Sequence, residues 1–189
     1  MPRLFIAAEL NQEALGLAAE LEADLRTALR RRVRVRWTRS EGRHVTMAFL
    51  GQVDDERVGP AGDVMSQVAA RHQPTSVVVG GLGAFPSARR ARVLWIGVED
   101  PSGELPRLAD DLQVTLRAAS FDVDEREFKG HLTLGRVADR RGVELLDTIE
   151  EERAGSVTVP LDSMVLFESH LSPSGARYRP LRRVSLGSS

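Results

Sequence analysis

Along this chain the apolar positions alternate between two periods, and the switches predict the elements. Leu4 to Leu10 is apolar enough for a strand. Asn11 then stands where a helix is capped, ahead of a stripe of Ala14, Leu17, Ala18, Leu21, Leu25 and Ala28 in steps of three and four. Arg32, Arg34 and Arg36 alternate with Val33, Val35 and Trp37, the period of a half-buried strand. A strand follows at His44–Leu50. A helix is predicted from Asp54 to about Arg71, with Gly59-Pro60 in its first turns. Thr75–Val79 and Arg92–Val98 read as a hairpin-like pair of strands, separated by a turn rich in Gly and Pro (Gly80, Gly81, Gly83, Pro86). Leu105, Leu108, Leu112, Leu116 and Ala119 mark another helix. Then come a strand at His131–Val137, a helix near Val143–Glu152, and strands around Val157 and Val165. A Ser172-Pro173-Ser174-Gly175 turn precedes a last strand near Tyr178–Val184.

The pattern repeats. An apolar strand from Leu4, an amphipathic helix and then His44-Val45-Thr46-Met47 are matched by a strand from Val93, a helix and His131-Leu132-Thr133-Leu134. The two histidines lie 40 and 38 residues after their strand starts. Such self-similarity predicts two copies of one unit, roughly 1–90 and 91–189, packed about a pseudo-twofold axis within one domain, 1–189. The fold class expected is α+β, bilobal, with mainly antiparallel sheet flanked by helices and a cleft between the lobes.

Composition narrows the setting. The 189 residues carry 26 basic and 27 acidic side chains and no Cys, so disulfides, thiolate nucleophiles and Cys-ligated metal are excluded. With 42 % hydrophobic and 28 % charged residues the chain reads as globular. The early apolar run closes at Glu9, too short for a signal or membrane segment, and a cytoplasmic location is expected. The near-neutral total hides a basic stretch: eight arginines between Arg26 and Arg43 against one acid, Glu41. Arg32, Arg34 and Arg36 would line one face, suited to phosphate, although a solvated face fits the same pattern. Charge alone does not decide for nucleic acid.

The paired His-x-Thr segments carry the chemistry. With eight Thr in the chain, the chance that two of its four histidines share this spacing is roughly one in a hundred, before the apolar neighbours are counted. On a strand, residues two apart face the same way, so His44 and Thr46 share one face, as do His131 and Thr133. Two imidazoles and two hydroxyls around one cleft suit phosphoryl transfer to water: one histidine takes a proton, the other gives one, and the hydroxyls support the phosphate oxygens. His72 reads as a cation at a helix C-terminus, and His170 as a surface loop residue. Phe5, Trp37 and Tyr178 are candidates to stack a nucleobase. Arg136, at an odd offset from His131, is expected to face away from it. No Gly-x-Ser-x-Gly elbow and no His-Glu-x-x-His zinc pattern occurs.

The chain resembles the 2H phosphoesterase superfamily in its tandem His-x-Thr-x motifs. Arg3-Leu4-Phe5-Ile6-Ala7, His44 through Gly51, Gly83-Ala84-Phe85-Pro86-Ser87, Arg92-Val93-Leu94-Trp95, His131 through Arg136, Phe167-Glu168-Ser169 and Leu171 through Tyr178 narrow the resemblance to the bacterial and archaeal RNA 2′,3′-cyclic phosphodiesterases, historically called 2′-5′ RNA ligases. It covers nearly the whole chain. The resemblance implies a bilobal α+β fold, opening of RNA 2′,3′-cyclic phosphate ends to 2′-phosphates, and reversible 2′-5′ joining, with neither ATP nor metal. It also implies His44 as proton donor and His131 as acceptor, each with its Thr, and Arg136 near the phosphate. No cofactor is expected. The partner implied is RNA with a cyclic phosphate end, tRNA fragments among the sources, and a monomer is expected. Gly130 stands where the family usually has Pro, which is expected to loosen the start of that strand. Two other functions remain open: the same chemistry on a small cyclic nucleotide or an ADP-ribose cyclic phosphate, and a non-catalytic RNA-binding module. A metallohydrolase ranks third, because two histidines without a nearby carboxylate or Cys make a poor zinc site.

Overall fold

A computed structural model describes the chain apart from residues 31, 125, 152–154, 173–174 and 188–189. Its strands are β1 (Arg3–Ala8), β2 (Val35–Trp37), β3 (Val45–Gln52), β4 (Thr75–Phe85), β5 (Val93–Glu99), β6 (His131–Val137), β7 (Ser156–Leu161), β8 (Ser163–Ser172) and β9 (Gly175–Ser185). Its helices are α1 (Gln12–Leu29), α2 (Val58–Ala69), α3 (Glu104–Ala118) and α4 (Leu146–Glu151). The strands form one antiparallel sheet in the order β7-β4-β5-β6-β3-β1-β8-β9, with β2 added beside β6. The order is symmetric about the β6–β3 junction, where a single residue pair, Val45 opposite Leu132, joins the halves. β4, from the first half of the sequence, pairs with β5 beside His131, whereas β8, from the second half, pairs with β1 beside His44.

The periodicities explain the packing. Asn11 caps α1 through its side-chain oxygen, which accepts the Ala14 N–H at 3.1 Å. The helix buries Ala14, Ala18, Leu21, Leu25 and Leu29, so its stripe ends one residue beyond the expected Ala28. Leu105, Leu108, Leu112 and Leu116 of α3 are fully buried in one core with Ala14, Ala18, Leu21 and Leu25 of α1 and with Leu4, Ile6, Val45, Met47, Leu132 and Leu134 from the sheet, while Leu29 packs in a smaller cluster with Ala84, Ala91, Leu94 and Leu145. The helix-covered face therefore takes the apolar residue of each His-x-Thr motif and leaves the polar ones on the other face. Among the described residues no helix is long and apolar enough to cross a membrane.

Four local expectations change. The Gly-rich stretch after Val79 is not a turn; β4 runs on to Phe85, paired to β5 throughout except for an irregularity between Gly80 and Leu82. Its glycines make room rather than bend: a Cβ at Gly83 would lie 2.2 Å from the Trp95 ring. The Arg32–Trp37 alternation holds in exposure, but the strand itself is only Val35–Trp37. The predicted helix near 143–152 begins at Leu146, because Val143 is held in a bridge to Ala91, and residue 152 lies outside the described residues. Gly130 does not loosen β6: its carbonyl accepts the Val98 N–H at 3.0 Å, and a Cβ there would sit 2.2 Å from the Val98 carbonyl. Residues 173–174 of the expected Ser172–Gly175 turn lie outside the described residues, but β8 and β9 on either side form the hairpin.

Candidate active site

At the β3–β6 junction the two motifs meet. Counting outward from the Val45–Leu132 pair, His44 is set toward Thr133 and Thr46 toward His131, all on the face away from the helices. All four line one cleft of about 1280 Å³.

Both strands carry the same irregularity just beyond the motif. In β3, Ala48 pairs with Ile6 and Thr46 with Ala7, leaving Met47 without a partner. In β6, Gly135 pairs with Leu94 and Thr133 with Trp95, leaving Leu134 without one. Each is a β-bulge, which shifts the alternation by one residue. Arg136 therefore turns back to the cleft side and lines the cleft, contrary to its odd offset. Phe49, five residues past His44 as Arg136 is past His131, lines it as well and is 50 % exposed. The freed bulge carbonyls are satisfied differently: Met47 O accepts from the Gln113 side chain at 2.9 Å, and Leu134 O from the Thr38 backbone N–H at 2.8 Å.

Each imidazole has a backbone hydrogen-bond partner two residues before it. The His131 Nδ1 lies 2.6 Å from the Lys129 carbonyl, which can only accept, so the neutral ring carries its proton on Nδ1 and leaves Nε2 as a free base. On the His44 side a backbone hydrogen bond at Gly42 favours the protonated ring. Around His44 the neighbours are aromatic: Phe5 stacks at 4.7 Å between centroids, Tyr178 stands edge-on at 5.0 Å, and Phe167 lies at 5.9 Å. Burial pushes the His44 pKa down to about 4, against the pull of the Gly42 hydrogen bond, with His131 adding a smaller push in the same direction. His131 is also lowered, first by desolvation and then by the charges of Arg136 and Lys129, with the Lys129 carbonyl opposing. Both rings are thus biased toward the neutral form in the free protein.

Other candidates fall in different places. Phe5 is only 2 % exposed, enclosed by His44, Phe49, Phe167 and Tyr178, so it cannot stack a base; it buttresses His44. Tyr178 is half-buried at the cleft wall. Arg32, Arg34 and Arg36 are exposed but outside the cleft, whose basic lining is instead Arg3, Arg92, Arg126, Lys129, Arg136 and Arg140. His72 does follow α2, but what it meets is Glu104 at 2.8 Å and Asp111 at 3.1 Å, rather than a bare helix terminus. His170 is not in a loop: it belongs to β8 and reaches Glu168 at 3.2 Å. Phe49, Gln113 and Lys129 were given no role by the sequence reading. The common offset of Phe49 and Arg136 from their histidines was the available signal for the first of these.

Comparison with known proteins agrees with this construction. The family model described as LigT like Phosphoesterase matches the chain twice, over residues 5–95 and 96–178. The RNA 2′,3′-cyclic phosphodiesterase of Archaeoglobus fulgidus is 36 % identical over 75 % of this chain and 78 % of its own length. That of Aeropyrum pernix is 33 % identical over 79 % of this chain and 85 % of its own. In three dimensions the chain is similar to the Thermus thermophilus protein TT0787, with a TM-score of 0.78 at 24 % identity over 98 % of both chains. It is similar also to apo LigT of E. coli, with a TM-score of 0.72 at 24 % identity over 99 % of this chain and 98 % of that one. Those structures share its fold, a curled antiparallel sheet with helices. A family model that spans the chain in two successive copies, together with a site in which the two copies meet, shows that the chain belongs to the LigT-like phosphoesterases.

Proposed function

We propose that this protein opens the 2′,3′-cyclic phosphate at the end of an RNA to a 2′-phosphomonoester, with reversible 2′-5′ joining as the same ring opening when an RNA 5′-hydroxyl attacks phosphorus in place of water. The observation that carries the reading is the convergence of the two His-x-Thr pairs on one cleft, each imidazole with a backbone hydrogen-bond partner two residues before it. Archaeal relatives named RNA 2′,3′-cyclic phosphodiesterase support the choice of substrate. The double match of the family model supports a single domain, 1–189, of two repeat units, roughly 1–90 and 91–189.

In the forward reaction the free Nε2 of His131 takes a proton from water as its oxygen bonds to phosphorus. The P–O3′ bond breaks, and His44 delivers a proton to the departing O3′. The Thr46 and Thr133 hydroxyls donate to the non-bridging oxygens, where negative charge accumulates, and Arg136 faces the same group. Both rings prefer the neutral form when the cleft is empty, so the proton on His44 is retained only beside an anion. The substrate phosphate is that anion, and its binding loads the acid. These side chains supply base, acid and oxyanion support by themselves, so the reaction is expected to need neither metal nor nucleotide cofactor.

The test is incubation of EDTA-treated protein with an RNA ending in a 2′,3′-cyclic phosphate, followed by identification of the product. A 2′-phosphate is expected. A 3′-phosphate, or activity that returns only on adding a divalent metal, would overturn the reading.

A further inference from the structure

A second cavity, of about 860 Å³, lies beside the catalytic cleft, between α1, the segment from Trp37 to Arg43, and the start of β9. Thr38, Gly42, Ala176 and Tyr178 line both cavities, so the wall between them is the wall that carries Gly42, the backbone hydrogen-bond partner of His44, and the Tyr178 ring standing against that imidazole. Whatever enters the second cavity lies next to whatever occupies the first.

Its lining is strongly positive. Among the described residues it holds four arginines, Arg26, Arg39, Arg43 and Arg177, against one carboxylate, Glu22. That carboxylate is shared: Glu22 accepts from Arg26 at 2.6 Å and also from Arg43. Arg43 is only 6 % exposed, yet its Nε and Nη1 have no hydrogen-bond partner among the described residues. Buried guanidinium groups without a full set of acceptors are costly unless an acceptor arrives from outside. At the rim, Arg39 and Arg177 are exposed, and neither has an acidic partner among the described residues. The cavity also has a flat surface, the half-buried Trp37 with the Arg26 guanidinium 5.0 Å from its ring centroid. Unsatisfied cations next to a stacked aromatic–guanidinium pair match a phosphodiester followed by a base.

We propose that this cavity is a subsite for the nucleotide that precedes the cyclic-phosphate terminus, its phosphodiester on Arg39 and Arg177 and its base against the Trp37–Arg26 stack. The proposal rests on the reading of the neighbouring cleft as the cyclic-phosphate site, and it makes the substrate an RNA strand rather than a mononucleotide. It also takes the contact away from Arg32, Arg34 and Arg36, which the alternation singled out but which line neither cavity.

The test compares a dinucleotide ending in 2′,3′-cyclic phosphate with the corresponding 2′,3′-cyclic mononucleotide, using the intact chain and the double variant Arg39→Gln/Arg177→Gln. Both side chains are exposed, so the variant is expected to fold. Its kcat/KM on the dinucleotide should fall on the order of 10–100-fold, with a flatter salt dependence, while that on the mononucleotide stays within about twofold. Equal losses on both substrates, or an unchanged dinucleotide rate, would overturn the subsite. If the unmodified protein opened neither substrate, the catalytic reading would fall, and the subsite would be decided by fluorescence anisotropy of a labelled dinucleotide ending in a 3′-phosphate. Weaker binding in the double variant supports it, and equal binding overturns it. A Trp37→Leu protein supplies an independent arm: it should lose dinucleotide affinity, whereas full affinity would remove the base from the proposal.

Discussion

Around His44 the neighbours are rings: Phe5, Phe167 and Tyr178 close over the imidazole. Around His131 they are charged as well as aromatic: Phe85 stands edge-on at 5.0 Å, Lys129 supplies the anchoring carbonyl, and Arg136 faces the same cleft. Five residues past its histidine, one copy carries Phe49 and the other Arg136. The backbone plan is common to both, down to the bulge and the backbone hydrogen-bond partner two residues before each ring. The side chains around it have diverged. The two copies thus deliver two imidazoles to one cleft, and in the mechanism proposed above their differing surroundings suit them to different tasks. In both halves burial is what chiefly pushes the free ring toward neutrality; the halves differ in what is added, a small push from His131 on the His44 side and the charges of Arg136 and Lys129 on the His131 side.

The bluntest way to break the comparison is to remove one imidazole at a time. His44→Ala and His131→Ala are each expected to lower kcat by about 10²–10⁴-fold, the usual worth of one proton-transfer group. The double variant should be far less than multiplicatively worse, because the pair acts as a unit. Near-normal turnover in either single variant, measured on a cyclic-phosphate RNA, would mean that the two copies do not share the work.

Acid stability sharpens the aromatic half of the comparison. An unfolded histidine titrates near 6.5 and folded His44 near 4, so between those values the unfolded chain holds more protons and stability falls as pH drops. His44 then costs about 3 kcal/mol of stability by pH 4, and the cost is absent above about pH 6.5. His131, also lowered, adds in the same direction. Urea unfolding at pH 7 and pH 4 should show His44→Asn losing less stability between the two than the unmodified protein. An equal loss would show that the aromatic enclosure does not depress His44.

The smallest expected effect tests the cationic half. Arg136 contributes to the lowering of His131, so Arg136→Ala should raise the His131 titration point, followed by the imidazole proton resonances, and leave that of His44 nearly in place. A shift confined to His44 would reverse the assignment of surroundings.

Much of this was legible in the sequence, and the parts that were not share a cause. The repeat, the α1 and α3 stripes and the two His-x-Thr pairs depend on local period, which Leu105, Leu108 and Leu112 or Val45 and Leu132 report directly. Arg136 was misjudged because the bulge at Leu134 adds a residue to the count, and no residue type announces it. The Gly80–Gly83 stretch read as a turn because its glycines answer a distant demand, the Trp95 ring and the close approach of β5. Phe5 read as a stacking surface because a strand shows which way a side chain points but not what lies over it. Gln113 was invisible for the same reason: its role is to satisfy a bulge carbonyl on another element.

The central claim, that His44 is the acid and His131 the base, is tested most directly by changing the leaving group. A nucleoside phosphate ester of nitrophenol releases an anion that needs no proton, so a protein lacking only its acid keeps most of its rate on it. The kcat of His44→Ala relative to the unmodified protein should therefore recover on this ester, while that of His131→Ala stays depressed. Recovery in His131→Ala alone would contradict the account and exchange the two roles.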